Sequence, residues 1–272
     1  MEYLMTYGWA ILIIAVVLGA LFQLGVFNSS SFSPRAPPGA CQVFRPGGPG
    51  STTNINLMGV CTGQLPQYVA KFPFFGYVTM PNVPQPTQLS LSVWVKPFSR
   101  KCGGCSWMGV AGNWDGTNGY AIAMGTFSST CARWCPLLGS SSVCPATCET
   151  LNVWQHLAMT FDGTMLALYV NGVRMDYFAS GSQIGQTAQA LKVGITPTFD
   201  YFNGTIANLQ EYNTSLTANQ IQALYLEGIG GAPMKLQNLV GWWPLNGDAK
   251  DYSGNNNNGV PTAVTFTSQY GK

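Results

Sequence analysis

Charge is scarce in this chain. It carries 12 Lys and Arg, 10 Asp and Glu and one histidine among 272 residues, for a net charge of +2. The basic residues form no cluster, which excludes a nucleic-acid partner. No Ser-His-Asp set, phosphate loop or zinc-protease motif is present. His156 falls inside a strand-like run and reads as structural. Glycoside hydrolysis uses two carboxylates facing across a cleft. The acids here, Glu149 and Glu211 among them, show no such pairing, so the chain reads as a non-enzyme. Low charge with abundant Gly, Asn, Ser and Thr suits an extracellular or assembled surface better than the cytosol.

The longest charge-free stretch is at the start, running from Tyr3 to Pro34 between Glu2 and Arg35. As a helix, Met1 to Phe27 would be about 40 Å long, against ~30 Å for the hydrocarbon core of a bilayer. A cleaved secretory signal starts basic and has a shorter apolar run, whereas this segment starts acidic. The expectation is a hydrophobic helix over 1–28, in a membrane or in a protein core. Small residues at Gly8, Ala15, Gly19 and Ala20 allow close helix approach. Glu2 favours the helix dipole in the first turn. At membrane depth it would need a positive partner, such as the amino terminus of a neighbouring copy.

The run Glu2-Tyr-Leu-Met-Thr-Tyr-Gly-Trp-Ala10, followed by Ile11 to Leu18, resembles the N-terminal helix of archaeal type IV pilins with class III signal peptides. The resemblance implies helices that bundle in a filament core, with Glu2, Tyr3, Leu4, Tyr7, Gly8, Trp9, Ile11, Ala15 and Gly19 as assembly residues. In that family a leader precedes the glutamate. Its absence here leaves two readings, a processed chain or an internally assigned start.

Residues 29–40 form a Ser/Pro/Gly linker stiffened by Pro34, Pro37 and Pro38. The remaining 41–272 are ample for one domain. Eight cysteines occur there: Cys41, Cys61, Cys102, Cys105, Cys131, Cys135, Cys144 and Cys148. An even number behind a membrane-targeted start favours disulfides. Zinc is the alternative that the short spacings leave open. Cys41 and Cys61 are read as one bridge, and the other six as cross-linked within two loops. Asn28, Asn203 and Asn213 head glycosylation motifs.

Strand-like runs recur at 75–80, 89–95, 119–124, 155–161, 165–170 and 204–212. Asp162-Gly and Asn171-Gly read as hairpin turns between such runs. One short helix is predicted from Thr217 to Leu226, with Thr217 as its N-cap. The pattern predicts an all-β sandwich or jelly roll. Leu91-Ser-Val-Trp-Val-Lys-Pro97, Trp154-Gln-His-Leu-Ala-Met-Thr-Phe-Asp-Gly163, Leu168-Tyr-Val-Asn-Gly172 and Phe202-Asn-Gly-Thr-Ile-Ala-Asn-Leu-Gln-Glu-Tyr212 resemble the concanavalin A-like laminin G jelly roll. In that family a segment like Leu239-Val-Gly-Trp-Trp-Pro-Leu-Asn-Gly-Asp248 opens the domain. Here it comes last, and residues 239–272 are expected to complete the sandwich of their own chain in permuted order; a second repeat or exchange between copies is the alternative.

The resemblance also implies calcium, for which Asp248 and Asp251 are the candidate ligands; stabilisation of turns by the same side chains is the alternative. It implies glycan binding as well, with Trp107, Trp114 and Trp134 as candidate stacking residues and Trp94 and Trp154 as core. The expected protein is a structural subunit of an archaeal type IV pilus-like filament, inserted in the membrane before assembly and displaying the sandwich outside the cell. Its partners would be identical subunits, the pilus assembly machinery and surface glycans. The alternative is a membrane-anchored laminin G-like lectin that never polymerises.

Overall fold

Alternation along each strand sorts the apolar side chains between the inside and outside of two packed sheets. The computed structural model describes residues 11, 13–18, 41–44, 52–55, 65–100 and 107–268. Strands are numbered in chain order. The first sheet runs β12 (Val173–Ala179), β11 (Met165–Val170), β10 (Gln155–Phe161), β5 (Leu89–Pro97), β15 (Gly204–Tyr212), β3 (Val69–Phe72) and β18 (Thr265–Thr267). β16 (Leu239–Trp243) takes the far half of β15, beyond the stretch paired with β3. The second sheet runs β17 (Val260–Thr262), β4 (Tyr77–Met80), β13 (Leu191–Val193), β6 (Trp107–Gly112), β7 (Tyr120–Thr126), β8 (Ala132–Leu138) and β9 (Ser141–Ser142). Within these two sheets, pairing is antiparallel except where the short β14 (Asp200–Tyr201) lies parallel to β6. β1 (Cys41–Phe44) and β2 (Thr52–Ile55) form a separate hairpin. The C-terminal strands β16 to β18 contribute to both sheets of this chain.

The hairpin chemistry read from the sequence is present. Asp162 Oδ1 accepts from the amides of Thr164 and Met165 between β10 and β11. Asn171 and Gly172 both adopt positive φ between β11 and β12, as a type I′ turn requires. Between the sheets, Val93, Val95, Met108, Ile122, Met124, Phe161, Ile206 and Trp243 form one core. Fully burying a side chain of this size stabilises by about 1.5–3 kcal/mol.

Helix α1 (Ala218–Glu227) is capped by Thr217 and Gln220, each side chain bonding the other's backbone amide. Its buried residues Ile221, Leu224 and Tyr225 face the outer side of the first sheet. There Tyr225 stacks on Trp94 at 5.7 Å, and His156 packs against both rings. Over β5, β10, β11 and β15 that outer face is therefore covered.

Several expectations need correction or placement. Of the predicted 1–28 helix, Ile11 and residues 13–18 are helical with exposed side chains, Ala15 among them. Glu2, Tyr3, Leu4, Tyr7, Gly8, Trp9, Gly19, Asn28 and the 29–40 linker lie outside the described residues, as do Cys61, Cys102, Cys105 and the side chain of Cys41. Among the described residues, no helix is long and apolar enough to cross a membrane. The cysteines of 131–148 form two nested disulfides, Cys131–Cys148 and Cys135–Cys144. They do not all lie in loops, because Cys135 sits on β8.

Glu211 and His156 are both fully buried, and burial shifts their pKa values in opposite directions. Glu211 on β15 points into the core, where its Oε1 accepts from the Tyr120 hydroxyl of the other sheet at 2.6 Å. Among the described residues, its Oε2 has no hydrogen-bond partner. Burial, only partly offset by Tyr120, raises the Glu211 carboxyl from 4.5 to about 8. Burial lowers His156 from 6.5 to about 3. Its Nε2 lies 2.8 Å from Ser92 Oγ.

Linkage then sets the contribution of this pair to stability. Glu211 favours folding below pH 4.5, and the advantage is lost as pH rises to about 8. His156 favours folding above pH 6.5, and that advantage is lost as pH falls to about 3. The two slopes, each about 1.4 kcal/mol per pH unit, cancel between 4.5 and 6.5. Urea midpoints should therefore stay nearly level over that window, apart from the smaller decline that the raised Glu149 carboxyl adds above pH 4.5, and fall above it. Glu211→Gln, which keeps an acceptor for Tyr120, should abolish the fall between pH 6.5 and 8. An unchanged fall in that variant would remove Glu211 as its cause.

Candidate functional site

The outer face of the second sheet is built differently from that of the first. Along β7 the inward residues are Tyr120, Ile122 and Met124, and the outward ones are Ala121, Ala123 and Gly125. Register places Trp107 of β6 beside Gly125, and Gly109 beside Ala123. On β8, Arg133 neighbours Gly125 and Leu137 neighbours Ala121. Small residues thus form a shallow floor on which aromatic rings lie.

Four rings occupy it in sequence. Phe127 meets Trp107 edge-on at 6.5 Å, Trp107 stacks on Phe199 at 5.3 Å with 15° between planes, and Phe199 meets Trp114 at 5.0 Å. The Arg133 guanidinium lies 4.4 Å from the centre of Phe127 at one end of the row. Phe127 is 51% exposed, and Trp107, Trp114 and Phe199 are each half-buried. At the other end, Trp114 Nε1 donates to the Gly139 carbonyl at 2.6 Å, which fixes the indole against β8.

Phe199 reaches the row because the chain between β13 and β14 arches over the sheet. A Cβ at Gly109 would collide with the backbone of Ile195 and Thr196, so only glycine admits the arch. Beyond it, Tyr201 lies 5.1 Å from Phe75 and 6.2 Å from Tyr77, with Lys192 Nζ 5.6 Å over Tyr77. Aromatic residues therefore reach from β4 to the β7–β8 turn.

Of the three tryptophans expected to stack on sugars, the structure brings together Trp107 and Trp114 but not Trp134. The Trp134 indole is 3% exposed, packs in the inter-sheet core and donates from Nε1 to Gln155 Oε1. Residues 132–138 form a strand rather than a loop, so Arg133 and Cys135 point out and Trp134 points in. Trp94 and Trp154 are buried. Phe127, Phe199 and Arg133 were not anticipated. Alternating small residues along 121–125 were the available signal for a floor beneath rings.

The other candidates are placed as follows. Asp251 Oδ1 accepts from the amides of Trp242 and Ser253, and Oδ2 from that of Asn257. Asp248 accepts from the Lys250 amide and the Tyr252 hydroxyl. Both carboxylates thus hold the 246–258 turns. Among the described residues, no group of three His, Cys, Asp or Glu side chains could hold a metal ion. Glu149 is buried in an ion pair with Arg100 and accepts from the Ala132 amide. Burial raises its carboxyl above 4.5 against the opposing pull of Arg100. Asn213 is exposed and Asn203 half-buried. A cavity of about 260 Å³ lies beside the disulfide loop, lined by Trp134, Pro145, Thr147, Thr150 and Met175.

These features define an all-β jelly-roll sandwich with one covered and one aromatic outer face. Residues 75–222 match the laminin G family model of the concanavalin A-like lectin/glucanases superfamily, and the chain belongs to that superfamily. Among solved structures it is similar to a candidate carbohydrate-binding protein from Bacteroides ovatus ATCC 8483 at 15% identity and a TM-score of 0.61. That match covers 80% of this chain and 66% of the other, so the chain spans just under two thirds of that protein's length. It is also similar to the heptameric SAP-like pentraxin of Limulus polyphemus, at 16% identity and a TM-score of 0.53, covering 74% of this chain and 94% of that one. At such identity the likeness establishes the fold. No curated protein matches the sequence.

Gly109→Ala tests the arch. The variant should lift 195–199 from the sheet at a cost of about 1–3 kcal/mol, as overpacking does. Tryptophan emission should shift as Phe199 leaves its place between Trp107 and Trp114. Wild-type stability and an unchanged spectrum would refute this role.

Proposed function

We propose that this protein is an extracellular carbohydrate-binding subunit whose sandwich presents the row Phe127–Trp107–Phe199–Trp114 to glycans. The observation that carries the reading is that row. Partly exposed rings on a rigid sheet offer flat apolar area at little conformational cost, and the apolar faces of sugar rings match it. The carbohydrate-binding assignment of the Bacteroides ovatus neighbour agrees with this reading. Binding without hydrolysis is favoured because Glu149 is committed to an ion pair and Glu211 faces the core. The two disulfides suit an oxidising, extracellular setting.

On a glycan array, the wild-type chain should bind defined oligosaccharides. Phe127→Ala and Trp107→Ala should each weaken binding ten-fold or more, as loss of a central aromatic contact does. Thermal melts would separate lost binding from lost folding, which matters most for Trp107 because it also covers the floor. An array with no member bound, or full affinity in both variants, would overturn the reading.

A second reading concerns delivery, and the uncharged 3–34 run favours it. We infer that residues 1–28 anchor the protein and pack with their copies in the core of a pilus-like filament, assembled by membrane machinery with Glu2 pairing during docking. A lectin anchored singly by the same segment is the competing arrangement. Electron microscopy of fibres sheared from cells, with antibody against the sandwich, should label helical filaments along their length. Glu2→Ala should abolish them. Fibres without label would leave the single-anchor arrangement.

A further inference from the structure

The charged end of the aromatic row carries information that stacking alone does not use. Arg133 projects from β8 on the same face as Trp107, separated from it by Gly125, which has no side chain. Its guanidinium rests on Phe127 at 4.4 Å. Among the described residues it makes no ion pair, and its Nε is sealed from solvent without a hydrogen-bond partner. Sealed there, Nε is out of a ligand's reach, so an acceptor brought to the half-buried side chain would meet the outer nitrogens of the guanidinium.

The neighbouring acids do not supply one. Glu149, close along the chain fold, pairs with Arg100 and the Ala132 amide. Asp115, beside Trp114 in sequence, accepts from the Thr117 and Asn118 amides at the other end of the row. The face beside Arg133 is otherwise formed by Gly125, Ala123, Cys135 and aromatic rings.

We propose that the row takes carboxylated glycans, with a uronate or sialate residue placed so that its carboxylate meets the Arg133 guanidinium while the adjoining sugars lie along Phe127 and Trp107. Arginine suits this role because its donors lie in the plane of a rigid fork that matches two carboxylate oxygens. Stacking on Phe127 holds that fork in place before the ligand arrives, which lowers the ordering cost of binding. The inference rests on the glycan reading above and narrows it to a class.

The test uses the full chain on a panel of uronate- and sialate-terminated oligosaccharides, each printed beside its carboxyl-reduced counterpart. The wild type should prefer at least one acidic member over its reduced form by about ten-fold or more, the scale of a charge-assisted hydrogen-bonded pair. Arg133→Gln should bring that ratio to about one. Arg133→Lys, which keeps the charge and loses the fork, should restore part of it. Higher salt should lower the ratio in the wild type. Equal binding of acidic and reduced forms would overturn this inference and leave the glycan reading standing. Binding of no member of either kind would overturn both. A preference that survives in Arg133→Gln would move the carboxylate contact to another residue and refute this one.

Discussion

The absence of side-chain bulk on the outer face of β7 is the constraint on which the rest of the binding face depends. Ala121, Ala123 and Gly125 leave a floor low enough for indole and phenyl rings to lie on the sheet, and the two alanines are completely buried beneath them. Gly109 next to them lets the 195–199 arch pass above β6 and deliver Phe199 between two tryptophans. A larger residue at any of these places would raise the rings and break the row. The same strand supplies bulk inward, through Tyr120, Ile122 and Met124, so one alternating run builds the core and the floor together.

Scarcity of charge has a counterpart inside the molecule. A chain with few ionisable groups still places Glu211 and His156 at fully buried positions, on neighbouring regions of the first sheet but on opposite faces of it. Glu211 is held neutral by burial within the sandwich, where Tyr120 ties the two sheets together. His156 is held neutral beneath α1, between Trp94 and Tyr225. Neither reaches the surface. Each fixes the position of a layer, one sheet against the other and the helix against the sheet, at the cost of pH-dependent stability.

Much of the fold was legible because strand period and turn chemistry are local. The runs at 155–161, 165–170 and 204–212 coincide with β10, β11 and β15, and Thr217 caps α1. The site was only half legible. Trp107 and Trp114 stood out as tryptophans near loops, but Phe199 joins them from a distant part of the chain through an arch that no local pattern encodes. Trp134 misled for the opposite reason. Cysteine spacing suggested a cross-linked loop, whereas a disulfide-bearing strand has an inside, and the parity of Arg133 and Cys135 puts Trp134 there. The role of Asp251 also depended on partners invisible in sequence, since three backbone amides converge on its carboxylate.

The edges of the sandwich bear on how copies could associate. β18 and β17 are three residues long, β17 contains Pro261, and β9 has two residues. β12 is longer but carries Arg174 and Asp176, with a register shift opposite Leu168 and Tyr169. Short strands, proline, charge and bulges are the devices that keep sheet edges from pairing with other chains. A sandwich with such edges is poorly suited to polymerise through strand addition. In the filament reading, assembly therefore falls to the 1–28 segment, and the sandwich is left free to present its aromatic face outward. The two halves of the proposed function thus draw on separate parts of the chain, and each can fail without the other.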